Sequence, residues 1–139
     1  MAAWWWPTVR SISWAPLAGV SACLGLLALW LDSWHQDLVG MAAGALAAAV
    51  VAGLHDPAAA LLSAMPTSAA VRRARRLVLL VPVAFAVWIG TADGPLLGLL
   101  VLAAAGVTVS VRAGVPLGAS VPLVWVIFAW AADINWELR

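Results

Sequence analysis

Five apolar runs separated by short polar breaks limit what this chain can fold into: 14–31, 38–54, 77–91, 95–111 and 117–132. A helix crosses a bilayer with about 20 apolar residues, within a range of ~17–25. Backbone inside hydrocarbon must also satisfy its own hydrogen bonds, which helices do internally. Composition points the same way. Of 139 residues, 65% are hydrophobic and 9% are charged, against about 25% charged in soluble domains, and the mean hydropathy is +1.05. So few charges cannot cover so much apolar surface in water. The expected fold is an all-α integral membrane protein, a single transmembrane domain over 1–139 built as a polytopic bundle of about five transmembrane helices. The third run is the briefest and contains Pro82, which a membrane helix tolerates when its neighbours satisfy the freed carbonyl. Arg10 ahead of the first run has the flavour of a signal peptide. That run is long, however, and no clear small-residue cleavage motif follows it, so it is expected to be a retained span.

Charge placement sets the expected orientation, because cytoplasmic loops of membrane proteins are enriched in basic residues. All seven basic residues are arginines, which is compatible with a GC-rich bacterial genome. With the N-terminus in the cytoplasm and the C-terminus outside, Arg10, Arg72, Arg73, Arg75, Arg76 and Arg112 all fall on the cytoplasmic side. The outer loops then hold Asp32, His35, Asp37 and Asp93, and the tail adds Asp133 and Glu137, with Arg139 the one exception. This is the pattern of a multi-pass protein of a bacterial plasma membrane. The ten tryptophans fit it, since indole rings favour headgroup depth with the ring apolar and the N–H wet. Trp4, Trp5, Trp6 and Trp14 fall at the inner interface, and Trp30, Trp34, Trp88, Trp130 and Trp136 at the outer one. Trp125 alone falls inside a span.

The densest charge lies in "LHDPAAALLSAMPTSAAVRRARR", from Leu54 to Arg76. Asp56 followed by Pro57 reads as a helix start, because aspartate caps free N–H groups and proline suits the first helical position. A short interfacial helix over 57–65 follows, with Leu61, Leu62 and Met65 on or near one face, and Pro66 stops it. Thr67 or Ser68 then caps the next helix, which carries Arg72, Arg73, Arg75 and Arg76 into the third span. These arginines are expected to meet anionic headgroups and anchor the topology, each worth about 1 kcal/mol near such a surface. Two readings of the short helix stay open. It is a well-anchored loop that fixes topology, or it is a docking element for a cytoplasmic partner, with Asp56, Pro57, Leu61, Leu62 and Met65 as its contact residues.

The stretch "HDPAAALLSAMPTS" followed by "VRRARR" and an apolar span resembles a segment of small actinobacterial ABC-2-type transporter permeases. The resemblance covers Leu54 to Leu80, about a quarter of the chain. It implies a membrane subunit of an ABC-type exporter, in which a lateral cytoplasmic helix between the second and third spans contacts a separate ATPase chain. Such permeases usually have six spans and are larger, so the resemblance further implies a reduced permease, or a subunit that needs a second membrane chain or a homo-oligomer. No G-x-x-x-x-G-K-[ST] phosphate loop occurs in this chain, so any ATPase is a separate one.

Other chemistry finds little footing. His35 and His55 lie at opposite ends of the second span, roughly 30 Å apart at 1.5 Å per residue, too far to share a metal. His35 and Asp37 in "WHQD" form a polar turn more readily than a metal site. No ionisable residue sits at mid-span, where proton relays and intramembrane catalysis need one. No paired carboxylates and no Ser/His/Asp set stand at workable spacing, so no enzyme, metal or cofactor is expected. The lone Cys23 allows no disulfide within the chain and is expected to be a buried apolar residue. Arginines at a membrane boundary are better explained by lipid than by nucleic acid. Gly40 and Gly44, with Ala48 and Ala52 continuing their face, offer a smooth helix-packing stripe of the kind that lets backbones approach closely.

The sequence therefore leads to an exporter subunit that passes a hydrophobic or amphipathic substrate. A non-catalytic accessory or scaffold subunit of another membrane complex is the alternative. Replacing Arg72, Arg73, Arg75 and Arg76 together with glutamine is expected to mix the orientation of the second loop. Reporter fusions on either side of the loop measure this, and an unchanged reporter pattern contradicts the assignment.

Overall fold

A computed structural model describes residues 5–31, 36–56, 68–92 and 94–132 of the chain. Among the described residues the protein is all-helical, in the order α1 (Trp5–Ser11), α2 (Ala15–Trp30), α3 (Gln36–Ala52), α4 (Ala69–Thr91), α5 (Leu96–Ala113) and α6 (Val115–Ala131). Helices α2 to α6 lie over the five apolar runs. Helix α1 is an addition that the apolar runs do not announce. It meets α2 at a bend of 75°. Trp14 braces that corner by donating its indole N–H to the Val9 carbonyl at 2.7 Å, while Ile12 between the two helices is buried.

By length and apolarity α4 and α5 are able to cross a membrane, and so is the bent pair α1–α2 if it forms one span. The apolar part of α3, Leu38–Ala52, and helix α6, Val115–Ala131, are shorter. At 1.5 Å per residue a 17-residue helix reaches only about 26 Å, against about 30 Å of hydrocarbon. The exposed surface is nonetheless apolar in the manner of a membrane protein. Leu123, Val124, Ile127, Phe128 and Trp130 of α6, and Leu26, Leu29 and Trp30 of α2, all face outward. A helix apolar on every side belongs in a large core or in lipid.

Helix α3 is the axis of the bundle and touches α2, α4, α5 and α6. From Ala42 to Val51 every residue except Ala45 is buried. Only small side chains permit neighbours on so many sides. A Cβ at Gly44 would collide with Val126 of α6 and lie 3.2 Å from the Pro122 carbonyl. The α5–α6 pair is closer still. A Cβ at Gly118 would lie 2.6 Å from the Gly106 carbonyl oxygen, and one at Gly106 would lie 2.9 Å from that of Gly118 and 2.9 Å from Val51 of α3. The turn between α5 and α6 is a single residue, Gly114, at φ 93°, a left-handed conformation that costs a side-chain-bearing residue more than it costs glycine.

Two sequence expectations change. Trp88 is not at a wet interface: it is 1% exposed and donates its indole N–H to the Gly94 carbonyl at 3.1 Å. It continues the inward stripe of α4, four residues beyond Ala84, and the missing side chain of Gly94 leaves room for the ring. Cys23 is exposed on α2 rather than buried. Its apolar character suits a lipid-facing surface as well as a core.

The close contacts set a test. Gly118→Val is expected to lower stability by about 3 kcal/mol, since overpacking against backbone has no cheap relaxation. Gly98 faces open space, where an added Cβ would meet nothing within 4 Å, so Gly98→Ala is expected to raise helix stability by about 0.5–1 kcal/mol. Thermal unfolding in detergent reads both, and equal melting temperatures contradict this account of the packing.

Candidate functional site

The site is at the start of α4. Ser68 caps the helix, its side-chain oxygen accepting the Val71 N–H at 3.3 Å, as an N-cap serine does. The inward stripe of α4 consists of Arg76, Leu80, Ala84 and Trp88, each four residues after the last. Arg72 stands one turn before Arg76 and Arg73 three residues before it, so helical geometry puts these three on neighbouring positions of one face. Arg75, three residues after Arg72, neighbours it in the same way but does not line the cavity beside them.

Arg76 is 3% exposed, a cost in free energy that only partners can offset. Its Nη1 donates to the His55 carbonyl at 2.9 Å and to the Leu54 carbonyl at 3.3 Å. Both oxygens belong to the segment that leaves α3, where carbonyls lack helical partners and the helix dipole is negative. Nη2 lies 3.2 Å from Asp56 Oδ1 and 3.4 Å from Ser11 Oγ. Ser11 gives its own proton to the Thr8 carbonyl at 2.9 Å, which leaves its oxygen to accept from the arginine. Arg72 Nε stands 3.6 Å from Asp56 Oδ2. One carboxylate thus bridges two guanidinium groups, and one guanidinium ties together the end of α1, the exit of α3 and the first turns of α4.

A cavity of about 240 Å³ opens beside this cluster, lined by His55, Asp56, Arg72, Arg73 and Arg76 and closed on its far side by Val115 and Pro116 at the start of α6. Among the described residues no carboxylate pairs with Arg73. Nearby, Arg10 stacks over Trp6 at 5.1 Å on α1.

The residues singled out from sequence divide in three. Asp56, Arg72, Arg73 and Arg76 come together here. Gly40 and Gly44 are buried in α3, away from the cavity. Pro57, Leu61, Leu62 and Met65, the expected interfacial helix 57–65, lie outside the described residues, as does His35. Arg76 departs most from expectation: all four arginines read as headgroup anchors, yet this one is an interior hydrogen-bond donor. The spacing to Leu80 carried the signal, because a residue four before an inward leucine shares its face. Ser11 carried no signal in the sequence.

Among the described residues, fold and site define an all-helical protein with two to three helices able to cross a membrane and a basic cavity at the α3–α4 junction. No family model, curated protein or solved structure matches the chain.

Removing one partner of a buried ion pair leaves the other uncompensated, which costs about 3–5 kcal/mol. Arg76→Met is therefore expected to destabilise the fold by about 3 kcal/mol. Asp56→Asn is expected to cost less, about 1–2 kcal/mol, because the two carbonyls and Ser11 still receive Arg76. Thermal unfolding of both variants in detergent checks the order, and a reversed order contradicts the central place given to Arg76.

Proposed function

We propose that this chain is the membrane subunit of an ABC-type exporter in a bacterial plasma membrane. In this reading it crosses five times, with the N-terminus in the cytoplasm and the C-terminus outside, and energy comes from a separate ATPase chain. The observation that carries the proposal is the joint at Asp56. The segment proposed to dock the ATPase starts at the next residue, and Asp56 is held by Arg72 and Arg76 at 3.6 and 3.2 Å. A docking element transmits force only if its root is rigid. This root is tied to α4 and, through the Leu54 and His55 carbonyls, to the exit of α3. The resemblance of Leu54 to Leu80 to ABC-2-type permeases and the cytoplasmic bias of the arginines support the same reading. The substrate would be hydrophobic or amphipathic, moving along apolar helix faces.

A second reading is favoured by one observation. Helices α3, α5 and α6 pack backbone to backbone through Gly44, Gly106 and Gly118, which suits a rigid accessory or scaffold subunit better than a moving gate.

Affinity purification of the tagged chain in mild detergent, with co-purifying proteins identified by mass spectrometry, separates the two. An ATPase recovered in stoichiometric amount, and lost on Leu61→Asp/Leu62→Asp, is the result expected for the exporter. Recovery of a different membrane complex, or retention of the ATPase by that variant, moves the assignment to the accessory role.

A further inference from the structure

We propose that the cavity at the α3–α4 junction is a discrete binding site for one phosphate-bearing anion, with an anionic phospholipid headgroup as its source. Among the described residues the cavity wall carries three guanidinium groups, of Arg72, Arg73 and Arg76, and a single carboxylate, Asp56. Asp56 is already engaged by Arg72 and Arg76, whose side chains are 20% and 4% exposed, which leaves positive charge in excess on a concave, partly buried surface. In such a place a charge acts more strongly than it does in water. Guanidinium groups match phosphate oxygens with paired N–H donors. The positive end of the 23-residue helix α4 lies on the same rim through Ala69 and adds to the attraction.

Arg76 spends its donors on four protein oxygens, so it shapes the wall. Arg73 is the residue assigned to hold the anion. A volume of about 240 Å³ suits a headgroup-sized ligand and is small for a drug-sized one, for which pockets run from ~300 to 1,000 Å³. The lipid source follows from the rim. Leu54, Ala69, Val115 and Pro116 line the same cavity beside the guanidinium groups, so its wall joins apolar surface to positive charge as a headgroup with its acyl chain requires. The proposal rests on the membrane reading of α4 and α5 but does not need the exporter reading.

The test is native mass spectrometry of the full chain in a neutral detergent, with phosphatidylglycerol, phosphatidylcholine and inorganic phosphate as separate probes. One phosphatidylglycerol per chain is expected, with phosphatidylcholine weaker because its choline cancels the charge. Arg73→Gln is expected to weaken phosphatidylglycerol binding roughly tenfold, the loss of about one charge-assisted hydrogen bond. Arg75→Gln removes the same charge from outside the cavity wall and is expected to leave binding within about twofold of the parent. Thermal unfolding of both variants verifies that the fold is intact. Displacement of the lipid by millimolar inorganic phosphate supports the site and reassigns its source to free phosphate. Equal binding of both lipids, equal losses in the two variants, or binding of neither lipid nor phosphate overturns the proposal. These outcomes are independent of ATPase recovery, so the two proposals fail separately.

Discussion

The close approach of backbones around α3 is the constraint on which the rest of the structure depends. In lipid, burying an apolar side chain against another helix gains little over leaving it among acyl chains, so association falls to van der Waals packing and short polar contacts. Alanine and glycine along 42–51 make α3 thin enough for four neighbours. Gly106 and Gly118 then bring α5 and α6 together at distances where a Cβ would stand 2.6 to 2.9 Å from a carbonyl oxygen. Larger residues would move the helices apart and reduce contacts on every side of α3 at once. The one-residue turn at Gly114 follows from the same closeness, because helices so near each other leave no span for a longer connection to bridge.

Packing of this kind holds the middle of the bundle but does little for its ends. At the α3–α4 junction the chain must satisfy carbonyls that helix geometry leaves open, and Arg76 does so from a helix 22 residues away in sequence. The arrangement is polar, directional and nearly saturated, which is what makes a 3% exposed guanidinium tolerable. It also couples elements that packing joins only loosely, since α1 reaches α4 here through Ser11. The same cluster has two consequences of different kinds. Its satisfied donors fix the root of the segment that follows Asp56, and its excess charge creates the basic cavity. Stability comes from the first and ligand chemistry from the second, and Arg76 and Arg73 divide these tasks.

Most of the helices were legible in the sequence because a run of apolar residues admits few alternatives. A cap of α4 at Thr67 or Ser68 was legible too, from the polar residues standing just before a long helical pattern, and Ser68 takes it. Two things were not. Helix α1 is only two turns long, with proline and three aromatics nearby, and short segments carry little periodicity. The burial of Trp88 depends on Gly94, six residues on and beyond the helix end, a pairing that no local pattern specifies. The site was half legible. Asp56 and the four arginines stood out by composition, but helical phase does not separate Arg75, three residues after Arg72, from the three that line the cavity. Composition alone groups all four as surface anchors, whereas burial distinguishes Arg76 as interior. Its carbonyl partners are backbone atoms, which a sequence does not advertise.

Helix length bears on how such a bundle sits in a bilayer. The apolar stretch of α3 runs only from Leu38 to Ala52, about 22 Å at 1.5 Å per residue, well short of the hydrocarbon thickness. Mismatch is a cost of lipid contact, and α3 is buried along most of that stretch, so its neighbours rather than acyl chains set its surroundings. Its C-terminal end is completed by Gly53 and Leu54, both buried, with the Leu54 carbonyl accepting from Arg76. A short central helix is therefore compatible with a membrane position so long as its final carbonyls have donors. Helix α6, with 17 residues and an exposed apolar face, has no such protection; placed across a bilayer it would draw the bilayer thinner around it. The arginine cluster thus continues what the turn at the end of α3 begins: Gly53, Leu54 and His55 N–H donate to the Ala49, Val51 and Ala52 carbonyls, and Arg76 donates to those of Leu54 and His55 just beyond.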